Sequence, residues 1–382
     1  MLNLGEANDV SEEMTAPWFE TRLPTILSKY SLGDIYNADE FGLFYKALPN
    51  KTMHLKNEKC VGGKFSKVRL TGLAAGNALG EKLPLFVIGK AKKPRCFKHL
   101  NQLPCRYRGQ KKAWMDSDLF EEWVREQDKI FESQNRKILL IIDNCPAHPH
   151  VKDLKAIELC FLPPNTTSVT QPMDQGVIRS VKAKYRTRMT QKIINAIDAN
   201  KSIPNVNVLE AMKILVICWG DVTEETVKNC FAKVRISPKE QVSAQNDLDD
   251  PFIELRSHME KLKSLGAVEI PDDLSSEEFV NFDDEVASTE PNLSDEAIIE
   301  MALDEETLEI DDEEEGNDND NCLLKPTAQQ VRTAIETLLD FSLFMDTDDV
   351  KKISMKLSSL IESELSKNFK QASIKDYFTC NV

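Results

Sequence analysis

Residues 137–176 read KILLIIDNCPAHPHVKDLKAIELCFLPPNTTSVTQPMDQG, and the fold is decided by how this stretch is read. Five apolar residues, Ile138 to Ile142, stop at Asp143 in a polar Asp-Asn-Cys-Pro break. A second apolar run, Ile157 to Leu162, is followed by Pro163-Pro164, a Thr/Ser-rich turn and Asp174 at the start of a long helical pattern. Short continuous apolar runs suit strands buried on both faces. The order strand, helix (expected near 149–156), strand argues for parallel pairing. A carboxylate closing a buried strand, and another on the first turn of a nearby helix, can flank one metal ion.

Upstream, Asp34 to Leu48 (DIYNADEFGLFYKAL) alternates apolar residues around Asp39 and reads as a strand. Lys67–Ala75 and Lys82–Ile88 flank Gly76-Asn77-Ala78-Leu79-Gly80, the pattern of a β-hairpin. Three meander strands are therefore expected before the parallel pair. Asp116–Phe131 reads as a helix, capped by Asp116 or Ser117, with Leu119, Phe120, Trp123, Val124 and Ile130 on its apolar face. A long helix is expected over 172–198, and one or two more within 205–235. Ahead of the strands, Trp18–Tyr30 is a short amphipathic segment broken by Pro24, and residues 1–16 read as loose.

Three acids stand out. Asp39 lies in the first strand, Asp143 closes the fourth, and Asp174 opens a helix with 30 residues between it and Asp143. Mg²⁺ or Mn²⁺ takes oxygen ligands. Two such ions about 4 Å apart support phosphodiester cleavage. A mixed α/β sheet of three meander strands plus parallel strands, carrying acids at these places, is the ribonuclease-H-like arrangement. Each acid also has a structural reading: a strand-edge acid at Asp39, a helix cap at Asp143, and a cap or dipole partner at Asp174.

The net charge of −15 conceals a split. Residues 1–240 hold 37 Lys/Arg against 27 Asp/Glu, and residues 241–382 hold 11 against 36. A basic body with an acidic tail is common among nucleic-acid binders, and an ordinary globular surface fits the body equally well. Candidate DNA contacts are Lys92, Lys93, Arg95, Arg106 and Arg108, in a loop that also carries Phe97, Tyr107 and Trp114, and Arg179, Lys182 and Arg186 on the long helix. The loop aromatics read equally well as packed down onto the body. The nine cysteines include no Cys-x-x-Cys pair, which points to reduced thiols of a cytosolic or nuclear protein. The five histidines do not supply the clustering a zinc site needs. No apolar run approaches 18 residues, so no membrane span is expected.

The runs YNADEFGLFYK (36–46), LLIIDNCPAH (139–148) and LPPNTTSVTQPMDQGVIRSVK (162–182) resemble the DDE-type catalytic domain of Tigger/pogo transposable-element-derived proteins, which include relatives of centromere protein B. The resemblance spans residues 18–235. It implies that Asp39, Asp143 and Asp174 bind metal in a DNA endonuclease and strand-transfer site using Mg²⁺ or Mn²⁺ in a two-metal arrangement. It also implies a nuclear location, with Asn144 and His148 close to the acids. Phe41 stands where the family often has a small hydroxyl residue, a departure expected to narrow the site. The family places helix-turn-helix domains ahead of the catalytic domain. About 33 residues precede it here, so a chain without them is expected.

The domain organisation expected is an N-terminal extension (1–33), a DDE-type ribonuclease-H-like domain (34–236), an acidic, largely disordered linker (237–324), a helical hairpin (325–370) and a tail (371–382). From Ser264 to Leu324 there are 23 Asp/Glu and no Lys or Arg, too few apolar groups to offset ordering entropy. In the tail, Gln371, Ile374, Tyr377 and Phe378 fit Gln-x-x-aliphatic-x-x-aromatic-aromatic, which resembles the peptide that docks on the sliding clamp PCNA. A helical turn would gather Ile374, Tyr377 and Phe378 into one apolar plug. Packing of the two aromatics on the hairpin is the structural alternative.

Overall fold

The computed structural model describes residues 11–46, 68–237, 250–266, 270–271, 274–283, 326–342, 352–353 and 355–361. The chain divides into two compact units, Met1–Asp320 and Asn321–Val382.

The first unit opens with a continuous helical run: α1 (Glu12–Ala16), a wider turn over Pro17–Arg22, and α2 (Leu23–Lys29). Pro24 does not break it. Proline sits in the first turn of α2, where a missing N–H is tolerated, and the Leu23 N–H still donates to the Trp18 carbonyl across the junction. Trp18, Leu23 and Ile26 bury one face of the run in the core.

Six strands follow: β1 (Ile35–Phe44), β2 (Arg69–Asn77), β3 (Phe86–Gly89), β4 (Arg106–Gly109), β5 (Ile138–Ile142) and β6 (Ile157–Phe161). Their order is β4-β3-β2-β1-β5-β6. The β1–β2 and β2–β3 pairs are antiparallel; β1–β5 and β5–β6 are parallel. This is a ribonuclease-H-like mixed sheet, extended by one edge strand. That strand, β4, lies in the stretch expected to be a loop. Four residues are too few for alternation to show, and pairing to β3 is what defines it.

Between β4 and β5 runs α3 (Ser117–Ser133), capped by Asp116 as expected. Its Phe120, Trp123, Val124 and Phe131 pack with Tyr36, Ala38, Phe86, Ile88, Leu140 and Ile142 on one face of the sheet. The helix expected near 149–156 is absent; that connection is irregular. The Asp128 carboxylate of α3 accepts the backbone N–H groups of Lys155, Ala156 and Ile157 at 2.7–3.0 Å, which commits the chain to β6.

The other face is covered by α4 (Val177–Asp198), α5 (Val208–Gly220) and α6 (Glu224–Lys233). A further layer, α7 (Ile253–Leu265) and α8 (Ser276–Asn281), lies on the outer side of α4, where Phe252, Leu255, Met259, Leu262, Phe279 and Val280 meet Ala183, Ile193 and Ile194. The expected disorder of 237–324 therefore does not hold across these residues. Their acids are few enough, and their apolar residues regular enough, to make a packed pair. The capping box of Ser275 and Glu278 starts the second helix. In the second unit, α9 (Ala328–Ser342) and helical residues at 355–361 are present. The segment 371–382, with its PCNA-docking-like motif, lies outside the described residues. No described helix is long and apolar enough to cross a membrane.

Candidate metal centre

The β1–β5 ladder ends at the pair Asn37–Ile141. Two residues further along each strand direction stand Asp39 and Asp143, so the two parallel strands release their acids side by side where pairing stops. Strand alternation puts Asn37 and Asp39 on the α4 face. Asp174 arrives from the other direction. It sits in the short 3₁₀ turn Met173–Gln175, not in the first turn of the long helix, because Gly176 at φ 136° bends the chain before α4 begins. Met173 is buried, and its N–H donates to the Asn37 side chain, so the turn is held from β1.

The three acids converge. The Asp39 and Asp174 carboxyls are in hydrogen-bond contact, with Asp143 close enough to act on Asp39 electrostatically. Burial first, then the charges of Asp174, Glu40 and Asp143, push the Asp39 carboxyl well above the usual carboxylate range. Such a cluster repels itself until a proton or a cation joins it. Oxygen donors of this kind fit a hard divalent ion, so Asp39, Asp143 and Asp174 are the residues that would hold Mg²⁺ or Mn²⁺. Beside Asp143 a cavity of about 590 Å³ opens, bordered by Asn144, Pro163, Asn165, Thr167 and Ser168.

Behind the cluster, on the α3 face, a second group holds Asp143 in place. The His148 ring lies between Glu40 and Asp143, with Nε2 3.2 Å from Glu40 Oε1 and Nδ1 2.5 Å from Asp143 Oδ1. The Glu40 and His148 side chains are each 1% exposed. Burial opposes charge on the ring. The Glu40 carboxylate, with the contacts to Asp143 and Cys145, outweighs that and raises the His148 pKa far above its ordinary value. Phe120 of α3 packs against the ring at 4.2 Å between centroids. Asp143, Cys145 and His148 thus form a close cluster, with His148 beside the acids as the resemblance implies. Both ring nitrogens face carboxylates, so His148 is a strut between β1 and the end of β5.

Sequence reasoning named His148 but not Glu40 or Asn37. Alternation could have found both: Asn37 shares a face with Asp39, and Glu40 faces the opposite side, toward the Asp-Asn-x-x-x-His turn. Phe41 lies two residues beyond Asp39, on the same face of β1. Its ring is buried and lies over Gly72 on β2, where an added Cβ would come within 2.5 Å of it.

The expected DNA contacts separate into three groups. Lys92, Lys93 and Arg95 are exposed. Arg106 and Arg108 pair with Glu122 and Glu126 of α3, and Arg179 lies over Phe252. Lys182 and Arg186 are buried, which corrects the sequence reading. The α7–α8 layer covers the side of α4 that a solvent-facing helix would present, and Arg186 spends its guanidinium on Asp283 and the Phe44 carbonyl.

Fold and carboxylate cluster together define a ribonuclease-H-like protein of the three-aspartate type. Residues 67–231 match the DDE superfamily endonuclease family. The chain is 35% identical over 352 residues to mouse Tigger transposable element-derived protein 4, covering 90% of this chain and 67% of that protein. It is 31% identical over 329 residues to ARS-binding protein 1 of Schizosaccharomyces pombe, covering 81% and 60%, and 30% identical over 340 residues to CENP-B homolog protein 2 of the same yeast, covering 84% and 63%. The chain belongs to the Tigger transposable element-derived family, with a DDE superfamily endonuclease domain. It spans about two thirds of the length of these relatives.

Proposed function

We propose that this protein is a nuclear DNA-binding protein whose DDE domain cuts and joins DNA strands with Mg²⁺ or Mn²⁺ held by Asp39, Asp143 and Asp174. The observation that carries the reading is the contact of Asp39 with Asp174, beside the charge of Asp143, at the point where β1 and β5 part. When bound, a pair of such ions activates an attacking hydroxyl and stabilises the leaving oxygen of a phosphodiester. His148 Nδ1 stands 2.5 Å from Asp143 Oδ1, on the side away from the other two acids. The strand to be cut would enter beside Asp143, along the cavity bordered by Asn144, Asn165, Thr167 and Ser168. Exposed Lys92, Lys93 and Arg95 would meet its phosphates at a distance from the acids. One relative is named for ARS binding and another as a homologue of CENP-B, which supports DNA as partner and the nucleus as location. The test is nicking of supercoiled plasmid by the full chain with Mn²⁺. Wild type should nick and Asp143→Ala should not; equal activity in the two rejects the reading.

A second reading is a catalytically silent DNA or chromatin binder that also docks on PCNA through its tail. It is favoured by Gln371, Ile374, Tyr377 and Phe378, whose spacing fits the PCNA-docking pattern. A peptide of residues 365–382 should bind PCNA, and the double change Ile374→Ala with Tyr377→Ala should weaken binding at least about tenfold. Unchanged binding removes this reading.

A further inference from the structure

One buried amide reaches all three segments that carry the acids. Asn37 is 0% exposed. Its Nδ2 donates to the Ile141 carbonyl at 2.9 Å, and its Oδ1 accepts the Met173 N–H at 2.9 Å. Asn37 itself lies two residues before Asp39, Ile141 lies two before Asp143, and Met173 adjoins Asp174. The bond to Ile141 falls on the last pair of the β1–β5 ladder, so it fixes the place from which the strands diverge. The bond to Met173 satisfies the first N–H of the 3₁₀ turn, which has no acceptor within the turn itself. Donor and acceptor are both required. A carboxylate lacks the donor, a serine lacks the reach to both backbones, and glutamine adds a methylene in a filled core.

We infer that Asn37 is the positioning residue of the metal centre: by joining β5 and the 173–175 turn to β1, it sets the spacing of Asp39, Asp143 and Asp174 so that they take a divalent ion. The inference rests on the metal-centre reading above. Nothing in it depends on Asn37 touching substrate or ion.

Asn77 supplies the control. It is equally buried, stands on β2 opposite Tyr36, and bonds the Gly33 carbonyl and Glu81, away from the acids. Mn²⁺ titration by calorimetry on the full chain, well below every melting midpoint, should show affinity falling about 10- to 100-fold in Asn37→Ala and staying within about twofold of wild type in Asn77→Ala, since partners behind metal ligands typically have effects of that size. Both variants should melt earlier than wild type. Raised Mn²⁺ should restore nicking in the Asn37 variant. If Asn37→Ala does not fold, Asn37→Ser takes its place, with the same loss expected. Wild-type affinity in a folded Asn37 variant overturns the positioning role alone. Absence of Mn²⁺ binding by wild type overturns the metal-centre reading and, with it, this inference.

Discussion

Arg186 of α4 and Asp283, just beyond α8, form an ion pair 2.6 Å long in which neither side chain is more than 1% exposed. Asp283 also accepts the Phe44 N–H at the end of β1, and Arg186 donates to the Phe44 carbonyl. The end of the strand carrying Asp39 is thereby tied to a segment drawn from the acidic part of the chain. Removing one partner of a buried pair costs about 3–5 kcal/mol, because the other charge stays buried. Asp283→Ala should lower stability by that order in urea unfolding. A fragment ending at residue 240 should fare worse than one ending at 290, since it also uncovers the Ala183, Ile193 and Ile194 face. Equal urea midpoints for the two fragments would remove α7–α8 from the catalytic unit.

Asp39 is held among like charges, so neutralising it relieves repulsion. Its carboxyl has a raised folded pKa; the ionised form therefore lowers stability once the pH exceeds the unfolded value near about 4. Asp39→Asn should raise metal-free stability at neutral pH by on the order of 1 kcal/mol, seen as a higher melting temperature, while losing the stabilisation Mn²⁺ confers on wild type. Thermal melts with and without Mn²⁺ measure both effects.

The Glu40–His148 pair is a case where stability and activity should separate. Glu40→Gln or His148→Gln alone leaves a buried charge without its counterpart and should destabilise by several kcal/mol, on the order of 3. The double change Glu40→Leu with His148→Phe sets apolar groups beside Phe120 and should recover most of that loss. Nicking should stay depressed about 10- to 100-fold, because Asp143 has lost its strut. Recovery of nicking with stability would show that His148 serves packing only.

Asp128 anchors the start of β6 through the N–H groups of Lys155, Ala156 and Ile157. Burial raises its pKa, the three backbone donors together lower it by more, and the net folded value is depressed. A depressed carboxyl contributes stability that is present above the unfolded value near about 4 and is lost as the pH falls through the lower folded value. Asp128→Ala should cost about 3 kcal/mol at neutral pH, and the gap to wild type should shrink on acidification below that range. Urea midpoints across the acid range test it.

Much of the fold was legible from patterning. The apolar runs 138–142 and 157–162 are strands, the alternating run about Asp39 is the central strand, and the Gly76–Gly80 turn joins antiparallel neighbours. These signals survive in sequence because a strand buried on both faces has no choice but to be apolar. The misses share a cause as well. β4 is defined by its partner β3, the 149–156 connection by a carboxylate on α3, and the burial of Lys182 and Arg186 by helices starting more than sixty residues later.

From the sequence alone come three carboxylates, one within a strand, one where a strand ends and one at the start of a helical pattern, in motifs that mark the family. Local chain geometry puts an acid where a buried strand runs out, and spacing records it. Only the tertiary structure decided that Asp39 touches Asp174, that Glu40 and His148 brace Asp143 from behind, and that Asn37 joins their three segments. Those contacts arise between residues up to 136 positions apart. Alternation tells which residues share a face, but which distant segments meet there depends on the assembled sheet and its turns.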